Sequence, residues 1–309
     1  MKKTHKLLAV ILSAILVLSI LSVIPFTTLA ATASGKCGKN LTWKYDKTAA
    51  TLTISGKGEM KDYSSSKFGK SYDYVTTAPW RPYYKTLKKV VINSKATKIG
   101  NSAFENCRAL TSVKIPNSVT EIGADAFAYC YKLKSVTIPN SVTTMGADAF
   151  CGCKELKSVT IGNGLTEIAD YTFAFCNKLK SVTIGKKVKS IGLGAFYYCY
   201  SLTKVKLPSG LKVIGQSAFA WCTALKSIKI PNGVTEIGGS AFCGCEKLKS
   251  ITIPSSVTTV GSYVFDDTAW YNSKPDGVIY VGKILYKCKG KSPAKVTVKK
   301  GTLSIANCA

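Results

Sequence analysis

The chain has 309 residues, of which 43 are Lys or Arg and 16 are Asp or Glu, so its formal net charge is +27 at pH 7. Its single histidine, His5, lies near the start of the chain, which excludes Ser-His-Asp catalysis, Cys-His catalysis and histidine-containing zinc sites from the remainder. The basic excess predicts anionic partners, but the lysines form no run of like charge, which favours a diffusely basic surface over a dedicated polyanion site.

Residues 1–33 are predicted to be a secretory signal peptide. A basic start precedes an apolar stretch over 7–24, and the small residues 31–33 provide a cleavage site. The apolar stretch approaches the length of a membrane span, so a retained N-terminal anchor is the alternative. In both cases the rest of the chain is exported, and cleavage would leave no transmembrane span in the mature chain.

Residues 34–86 are predicted to form an N-terminal β capping module. Residues 41–43 and 52–54 have the composition of two strands of a hairpin. The segment 62–77, which contains three consecutive serines and several tyrosines, is predicted to be a loop.

A repeat of 23 residues governs residues 87–265. A phenylalanine column, a cysteine column three residues later and a leucine column keep one register. The phenylalanines are Phe104, Phe127, Phe150, Phe173, Phe196, Phe219, Phe242 and Phe265. The cysteines are Cys107, Cys130, Cys153, Cys176, Cys199, Cys222 and Cys245, with Thr268 in the eighth copy. Such a register indicates stacked copies that bury one continuous core.

Each repeat is predicted to contain one exposed strand and one tight turn. Val136 and Ile138 alternate with polar residues, which is the period of a half-buried strand. Ala149-Phe150 is predicted to lie in a short helical or 3₁₀ turn. Stacked units would align their strands as a parallel sheet on one face, with rungs about 4.8 Å apart.

The repeat period breaks after residue 265. Residues 266–293 are predicted to be an inserted hairpin, because two apolar strands flank Gly282-Lys283. Residues 294–309 are predicted to start a further, truncated repeat, since Val296, Val298 and Ile305 fall in register with the earlier units. The last residue precedes a phenylalanine position, so a longer natural product is expected.

The pattern Ala-Phe-x-x-Cys-x-x-Leu-x-x-Val-x-Ile-Pro resembles the BspA-type, or treponemal, class of bacterial leucine-rich repeats. Residues 37–43, 51–56 and 78–80 are similar to the N-terminal module common in that family, so the resemblance covers most of 37–309. It implies a β-rich α/β solenoid, a right-handed leucine-rich-repeat coil of 23-residue units with a parallel sheet on one face. It also implies a secreted or cell-surface protein that adheres to host matrix, other microbes or polysaccharide.

The cysteines are predicted to be reduced and buried, without a metal or another cofactor. Stacked rungs place their Cα atoms near the distance of a disulfide, but parallel side-chain directions disfavour the bond. Cys151 with Cys153, and Cys243 with Cys245, have a one-residue spacing that differs from the two-residue spacing of a zinc knuckle.

Carboxylates also recur in columns, with Glu121, Glu167 and Glu236 in one and Asp125 and Asp148 in another. Glu121 and Glu167 would lie two rungs apart, about 9.6 Å by strand spacing, which is within reach of an inverting glycosidase pair. Their polar column favours solvated side chains instead.

The candidate binding residues occupy two surfaces. Two residues after the phenylalanines stand Tyr129, Phe175, Tyr198 and Trp221, a strip that suits stacking with sugar rings or a protein hot spot, with packing of the convex side as the alternative. The exposed face of the sheet offers a second surface rich in Ser and Thr. There, Lys204, Lys206 and Lys229 would support a salt-sensitive interaction.

Together these features predict a non-enzymatic adhesion or recognition protein. Its ligand would be an anionic protein or polysaccharide at a cell surface, and no specific nucleic acid is expected. One alternative is the targeting region of a larger secreted hydrolase whose catalytic part follows residue 309. A structural spacer in a surface layer is another.

Overall fold

The computed structural model describes residues 32–67, 74–93, 95–291 and 295–306. Residues 1–31 of the predicted signal peptide and the last three residues of the chain lie outside this part. The N-terminal strands are β1 (Thr32–Lys36), β2 (Leu41–Asp46), β3 (Thr51–Gly56), β4 (Gly58–Glu59), β5 (Ser65–Lys67) and β6 (Tyr74–Thr76). β2 and β3 form the hairpin expected from their sequence. The segment predicted to be a loop instead contains the antiparallel pair β5 and β6, so that prediction is wrong in part.

Residues 87–265 form two parallel columns of short strands. The strands in chain order are β7 (Lys89–Ile92), β8 (Ala96–Ile99), β9 (Ser112–Lys114), β10 (Glu121–Ile122), β11 (Ser135–Ile138), β12 (Thr144–Met145), β13 (Ser158–Ile161), β14 (Glu167–Ile168), β15 (Ser181–Thr183), β16 (Ser190–Ile191), β17 (Lys204–Lys206), β18 (Val213–Ile214), β19 (Ser227–Lys229), β20 (Glu236–Ile237), β21 (Ser250–Thr252) and β22 (Thr259–Val260). Odd-numbered strands form the first column and even-numbered strands the second. Pairing is offset by one 23-residue repeat, as in Ser135 beside Ser158. The predicted solenoid of 23-residue units with stacked parallel strands is therefore confirmed.

The N-terminal module continues both columns. β3 pairs in parallel with β7, and β4 pairs in parallel with β8. A 3₁₀ helix over Arg81–Tyr83 leads into the first repeat. The module thus acts as a first rung that covers the backbone groups of the solenoid edge.

A stack of phenylalanine rings runs through the core. All eight repeat phenylalanines are fully buried. Neighbouring ring centroids lie between 5.1 Å, as for Phe104 and Phe127, and 5.9 Å, as for Phe242 and Phe265. Such spacing is typical of offset stacking, which adds attraction beyond burial of apolar area. Trp80 stacks on Phe104 at 5.3 Å and closes one end of this phenylalanine spine.

The turn around each phenylalanine is held by bonds within and between repeats. In the second copy, the Cys130 N–H donates to the Phe127 carbonyl, while the Phe127 N–H donates to Ala149 of the next repeat. Of the two alternatives predicted for this segment, a helical or a 3₁₀ turn, the structure has separate i→i+3 turns, which contain the hydrogen bond of a 3₁₀ turn. Left-handed φ values at Asp125 (55°) and Tyr129 (59°) prevent the right-handed conformation from continuing.

The cysteine column is part of the same turns. Each Sγ from Cys130 to Cys245 donates to the carbonyl of the phenylalanine in the preceding repeat, at 3.1 to 3.3 Å. Thr268 stands in this column in the eighth copy. Its hydroxyl donates to the carbonyl of Phe265, the phenylalanine of its own repeat, at 2.6 Å. Burial raises the pKa of Cys153 to about 12, so the thiol stays protonated and unreactive at neutral pH.

Thiol titration should therefore find few reactive groups in the native protein and most of the twelve cysteines after denaturation without reductant. Cys243 and Cys288 are only half-buried and are expected to react first. Access to the nine other thiols that the structure describes requires unfolding, because they are buried. A count near zero in the denatured protein would show that the cysteines form disulfides.

The C-terminal part closes the other end of the spine. It contains a short α-helix, α1 (Ala269–Asn272), and the strands β23 (Gly277–Val281), β24 (Ile284–Lys289) and β25 (Ser304–Ile305). β23 and β24 form the expected hairpin. Trp270 and Tyr286 meet the Phe265 ring edge-on at 5.1 and 5.5 Å. Val296 and Val298, which were predicted to resume the repeat, are 41% and 43% exposed.

Candidate functional site

The position two residues after each phenylalanine has a left-handed backbone. Its φ values run from 58° to 70° over eight repeats. The residues there are Asn106, Tyr129, Gly152, Phe175, Tyr198, Trp221, Gly244 and Asp267. Gly, Asn and Asp tolerate this conformation, whereas a residue with a bulky side chain loses about 1 kcal/mol in it. The aromatic residues in this column therefore stand where the backbone disfavours them.

Phe175, Tyr198 and Trp221 occupy this column on three consecutive repeats and form an aromatic ladder. The ring centroids of Phe175 and Tyr198 lie 5.4 Å apart, and those of Tyr198 and Trp221 lie 5.9 Å apart, with interplanar angles of 28° and 27°. The Trp221 ring covers Gly244, where a Cβ atom would come within 2.7 Å of it. Each ring thus leans towards the following repeat.

Two further tyrosines extend the ladder. The Tyr197 ring meets Phe175 edge-on at 5.6 Å, and the Tyr200 ring lies 5.4 Å from Tyr198. A hydrogen bond with Tyr198, together with partial burial, raises the pKa of Tyr197 to about 12. Phe175 remains 38% exposed and Tyr200 44% exposed. The ladder together with Tyr197 and Tyr200 is called the aromatic patch below.

The ring orientation separates the two ligands that the sequence allowed for this strip. Stacking with a sugar requires a free ring face, but the faces within the ladder are turned towards each other or towards Gly244. The exposed parts of Phe175 and Tyr200, with tyrosine hydroxyls nearby, instead match the apolar and polar atoms of a protein surface. The geometry therefore favours a protein hot spot over a platform for sugar rings.

The other predicted site residues lie apart from the ladder. The Tyr129 ring covers Gly152 and meets Tyr131 edge-on at 6.3 Å, and Tyr131 lies beneath Lys154. Lys204, Lys206 and Lys229 are exposed on β17 and β19, six to eight residues after the aromatic position of their repeats. Lys204 pairs with Ser181 and Lys206 with Thr183. The aromatic and lysine residues thus occupy turns and strands respectively.

The sequence analysis missed the second left-handed column. It lies two residues before each phenylalanine and contains Tyr171, whose ring covers Gly194. Tyr171 also packs with Tyr197 against a small cluster of buried residues that includes Ala174 and Cys151. Six of the eight positions in this column are Gly, Ser or Asp, with Tyr263 the other exception, and these residues were the available signal because they favour left-handed turns.

The two glutamates considered as a glycosidase pair are both accessible to solvent. Glu121 is part-exposed and ion-paired with Lys98 at 3.0 Å, and Glu167 is exposed on β14. Asp125 is the perturbed group instead. Burial, followed by repulsion from Glu105 and Asp148, raises its pKa to about 6. A carboxylate held in this way destabilises the folded chain at neutral pH.

The substitution Asp125→Asn should therefore stabilise the protein at pH 7. The folded-state pKa is raised, so the destabilisation is complete above about pH 6 and disappears as the pH falls below 4. For this half-buried group the gain is expected to be about 1 kcal/mol. Urea denaturation at pH 4 and pH 7 measures it. Asp267→Asn is the matched control, because Asp267 is exposed and has a similar φ of 58°. An equal gain for Asp125→Asn at both pH values would contradict the electrostatic cause.

Within the described residues, no three His, Cys, Asp or Glu side chains converge to hold a metal ion. In the same part of the chain, no helix is both long and apolar enough to cross a membrane.

Comparison with known proteins identifies similar repeats and similar folds. The sequence model of the BspA type leucine rich repeat region matches residues 83–201 and 143–272, with six copies. A leucine-rich repeat protein from Bacteroides ovatus is 25% identical, with a TM-score of 0.55, and the match covers 87% of this chain and 78% of that one. No curated protein matches in sequence.

Two other solved structures have a lower similarity. A leucine rich cell surface protein from Faecalibacterium prausnitzii is 23% identical, with a TM-score of 0.36 and coverage of 76% of this chain and 92% of that one. The leucine rich repeat protein of T. pallidum is 21% identical, with a TM-score of 0.39 and coverage of 75% and 77%.

Proposed function

The chain belongs to the BspA-type leucine-rich-repeat family, and from this premise we propose that it is an exported recognition protein that binds a protein partner through the aromatic patch. Stacked repeats provide a rigid and extended surface, which is the usual basis of binding in solenoid proteins. The proposal also holds that the chain acts without catalysis. The single histidine at position 5 supports this, as does the solvent accessibility of Glu121 and Glu167.

The observation that carries the proposal is the choice of residues in the left-handed column. Four of its eight positions, Asn106, Gly152, Gly244 and Asp267, have residues that tolerate positive φ, and Tyr129 stands alone between two of them. The ladder residues tolerate it poorly, yet they follow each other on three consecutive repeats. Strained positions of this kind cluster where a protein binds. A requirement for exposed aromatic side chains explains why they are present there.

The surface of the patch suits a protein ligand. Three consecutive rungs extend for about 10 Å, which matches the size of a hot-spot cluster. Aromatic residues dominate such clusters because they lose little conformational entropy on binding and bury a large area. The predicted signal peptide supports an extracellular setting for this interaction.

Selection of peptides from a random phage-displayed library tests the proposal without knowledge of the natural partner. The full chain is the target, and the dominant peptides are then titrated against a variant with Phe175→Asn, Tyr198→Asn and Trp221→Asn. Asparagine is used because Asn106 shows that it fits this column. We expect the variant to lose affinity by about 30-fold or more, which corresponds to about 2 kcal/mol.

The matched control removes exposed apolar side chains elsewhere, by Tyr263→Ala, Val296→Ala and Leu303→Ala. It should bind the selected peptides as the wild type does. If the peptides bind the ladder variant and the wild type equally well, the patch is not the binding surface. If the control loses as much affinity as the ladder variant, the proposal fails as well.

A further inference from the structure

A second surface, formed by lysines, becomes visible only when the repeats are stacked. The residue after each core leucine is Thr111, Lys134, Lys157, Lys180, Thr203, Lys226 or Lys249 in consecutive repeats. A continuous series of backbone hydrogen bonds joins these seven residues, each N–H donating to the carbonyl of the preceding one at 2.8 to 3.4 Å, starting from Lys88. Lys134, Lys157, Lys180, Lys226 and Lys249 are called the lysine ladder. All five are exposed.

None of the five ladder lysines forms an ion pair with a carboxylate of the described residues. Glu155 attracts two of them, Lys134 and Lys157, at longer range, so one carboxylate offsets part of a charge of five. Glu155, which lies in the same part of the coil, bonds to Lys178 through both carboxylate oxygens, at 2.7 and 3.0 Å. Adjacent rungs are about 4.8 Å apart, so like charges repel along the ladder. A bound polyanion would relieve this repulsion.

Columns of hydroxyl groups lie on the strands that begin directly after the ladder lysines. Ser135, Ser158 and Ser181 are in register with one another, as are Thr137, Thr160 and Thr183. All six side chains are exposed. Hydroxyls both donate and accept hydrogen bonds, so these columns can bind a polymer that itself carries many hydroxyl groups. At the Thr203 rung, where the ladder lacks a lysine, the exposed Lys204 follows directly.

We propose that the lysine ladder and the adjacent hydroxyl columns bind a linear acidic polysaccharide that lies along the axis of the solenoid. From Lys134 to Lys249 the ladder spans five rung intervals, or about 24 Å. Negative groups that recur at about 5 or 10 Å along a polymer can meet successive lysines. A site for single-stranded nucleic acid would require aromatic side chains that stack with the bases. The lysine ladder and the serine and threonine columns beside it contain none.

This site is separate from the aromatic patch. It consists of the hydroxyl columns on the strands and the lysines that directly precede them, and it would bind another class of ligand. The test uses the full chain and heparin-derived oligosaccharides of increasing length, with polygalacturonate oligosaccharides as the carboxylate probe and dextran as the neutral control. One variant has Lys134→Gln, Lys157→Gln and Lys180→Gln. The matched control has Lys39→Gln, Lys57→Gln and Lys61→Gln, which remove the same charge from exposed positions of the N-terminal module.

We expect the ladder variant to bind heparin oligosaccharides about 10-fold or more weakly and the control variant less than about 2-fold more weakly. The slope of log Kd against log salt should fall by about one unit per lysine replaced. Affinity should rise with oligosaccharide length up to about 24 Å and then level off. Tighter binding of the sulfated probe would identify sulfate esters as the preferred group, and tighter binding of the carboxylate probe would identify uronates.

Equal weakening of both lysine variants would overturn the proposal, because it would show attraction to net charge alone. Duplex DNA of equal charge that competes as well as the oligosaccharides would overturn it too. The Asn variant of the aromatic ladder should bind heparin oligosaccharides normally. A failure of the polysaccharide site is therefore distinguishable from a failure of the protein-binding site.

Discussion

Replacing Phe196 with alanine is expected to lower the free energy of unfolding by about 4 kcal/mol. The side chain is fully buried and stacks on Phe173 at 5.6 Å and on Phe219 at 5.2 Å. Its removal leaves a cavity and interrupts the spine in the middle of the solenoid. The surrounding repeats cannot collapse into the space, because backbone hydrogen bonds fix the distance between them.

Urea denaturation followed by circular dichroism measures this loss. Phe196→Leu should retain about half of the lost stability, since leucine fills part of the cavity. Tyr200→Ala, in the same repeat, should cost less than about 1 kcal/mol because that side chain is 44% exposed. If Phe196→Ala costs no more than Tyr200→Ala, the phenylalanine spine does not hold the repeats together.

Replacing Trp80 with alanine should have a comparable effect at the N-terminal end. The Trp80 ring is fully buried, stacks on Phe104 and meets Trp43 edge-on at 6.1 Å. Its Nε1–H donates to the Ala103 carbonyl at 2.8 Å. The alanine variant loses both the ring and this hydrogen bond, for which we expect about 4 kcal/mol in total.

Trp80→Phe separates the two contributions. It keeps a ring against Phe104 but removes the Nε1–H donor, so it should lose about 1 to 2 kcal/mol. Hydrogen exchange should also show the N-terminal module opening more often in Trp80→Ala than in the wild type, since the cap is weakened locally. Wild-type exchange rates in that module would show that Trp80 does not join it to the solenoid.

The core was predictable from the sequence because its pattern is strictly periodic. The columns of phenylalanine, cysteine and leucine share one register of 23 residues, and each such column must face the same way in every stacked copy. The backbone conformation of the turns was harder to predict from the sequence. The turn around Phe127 contains i→i+3 bonds, but positive φ at Asp125 and Tyr129 stops it from becoming a helix.

The geometry of the aromatic column was also only partly predictable from the sequence. Asn106, Gly152, Gly244 and Asp267 in the aromatic column were a signal for left-handed φ that the aromatic residues concealed. The direction in which the Trp221 ring leans depends on the missing side chain of Gly244, a contact between repeats that no single unit reveals.

The lysine ladder was hidden for a different reason. Its members are separated by 23 or 46 residues, so no window of the sequence contains a run of positive charge. Because no run of like charge is present along the chain, the sequence indicated a diffuse basic surface. Stacking places Lys134, Lys157 and Lys180 on consecutive rungs and concentrates the charge on one line.

The role of the aromatic ladder is measured by probing an array of purified extracellular proteins with three forms of the full chain. These are the wild type, the variant with Asn at Phe175, Tyr198 and Trp221, and the control variant with Ala at Tyr263, Val296 and Leu303. If the ladder is the recognition surface, the proteins bound by the wild type are bound by the control and lost with the Asn variant. The same bound proteins for all three forms, or none for the wild type, would contradict it.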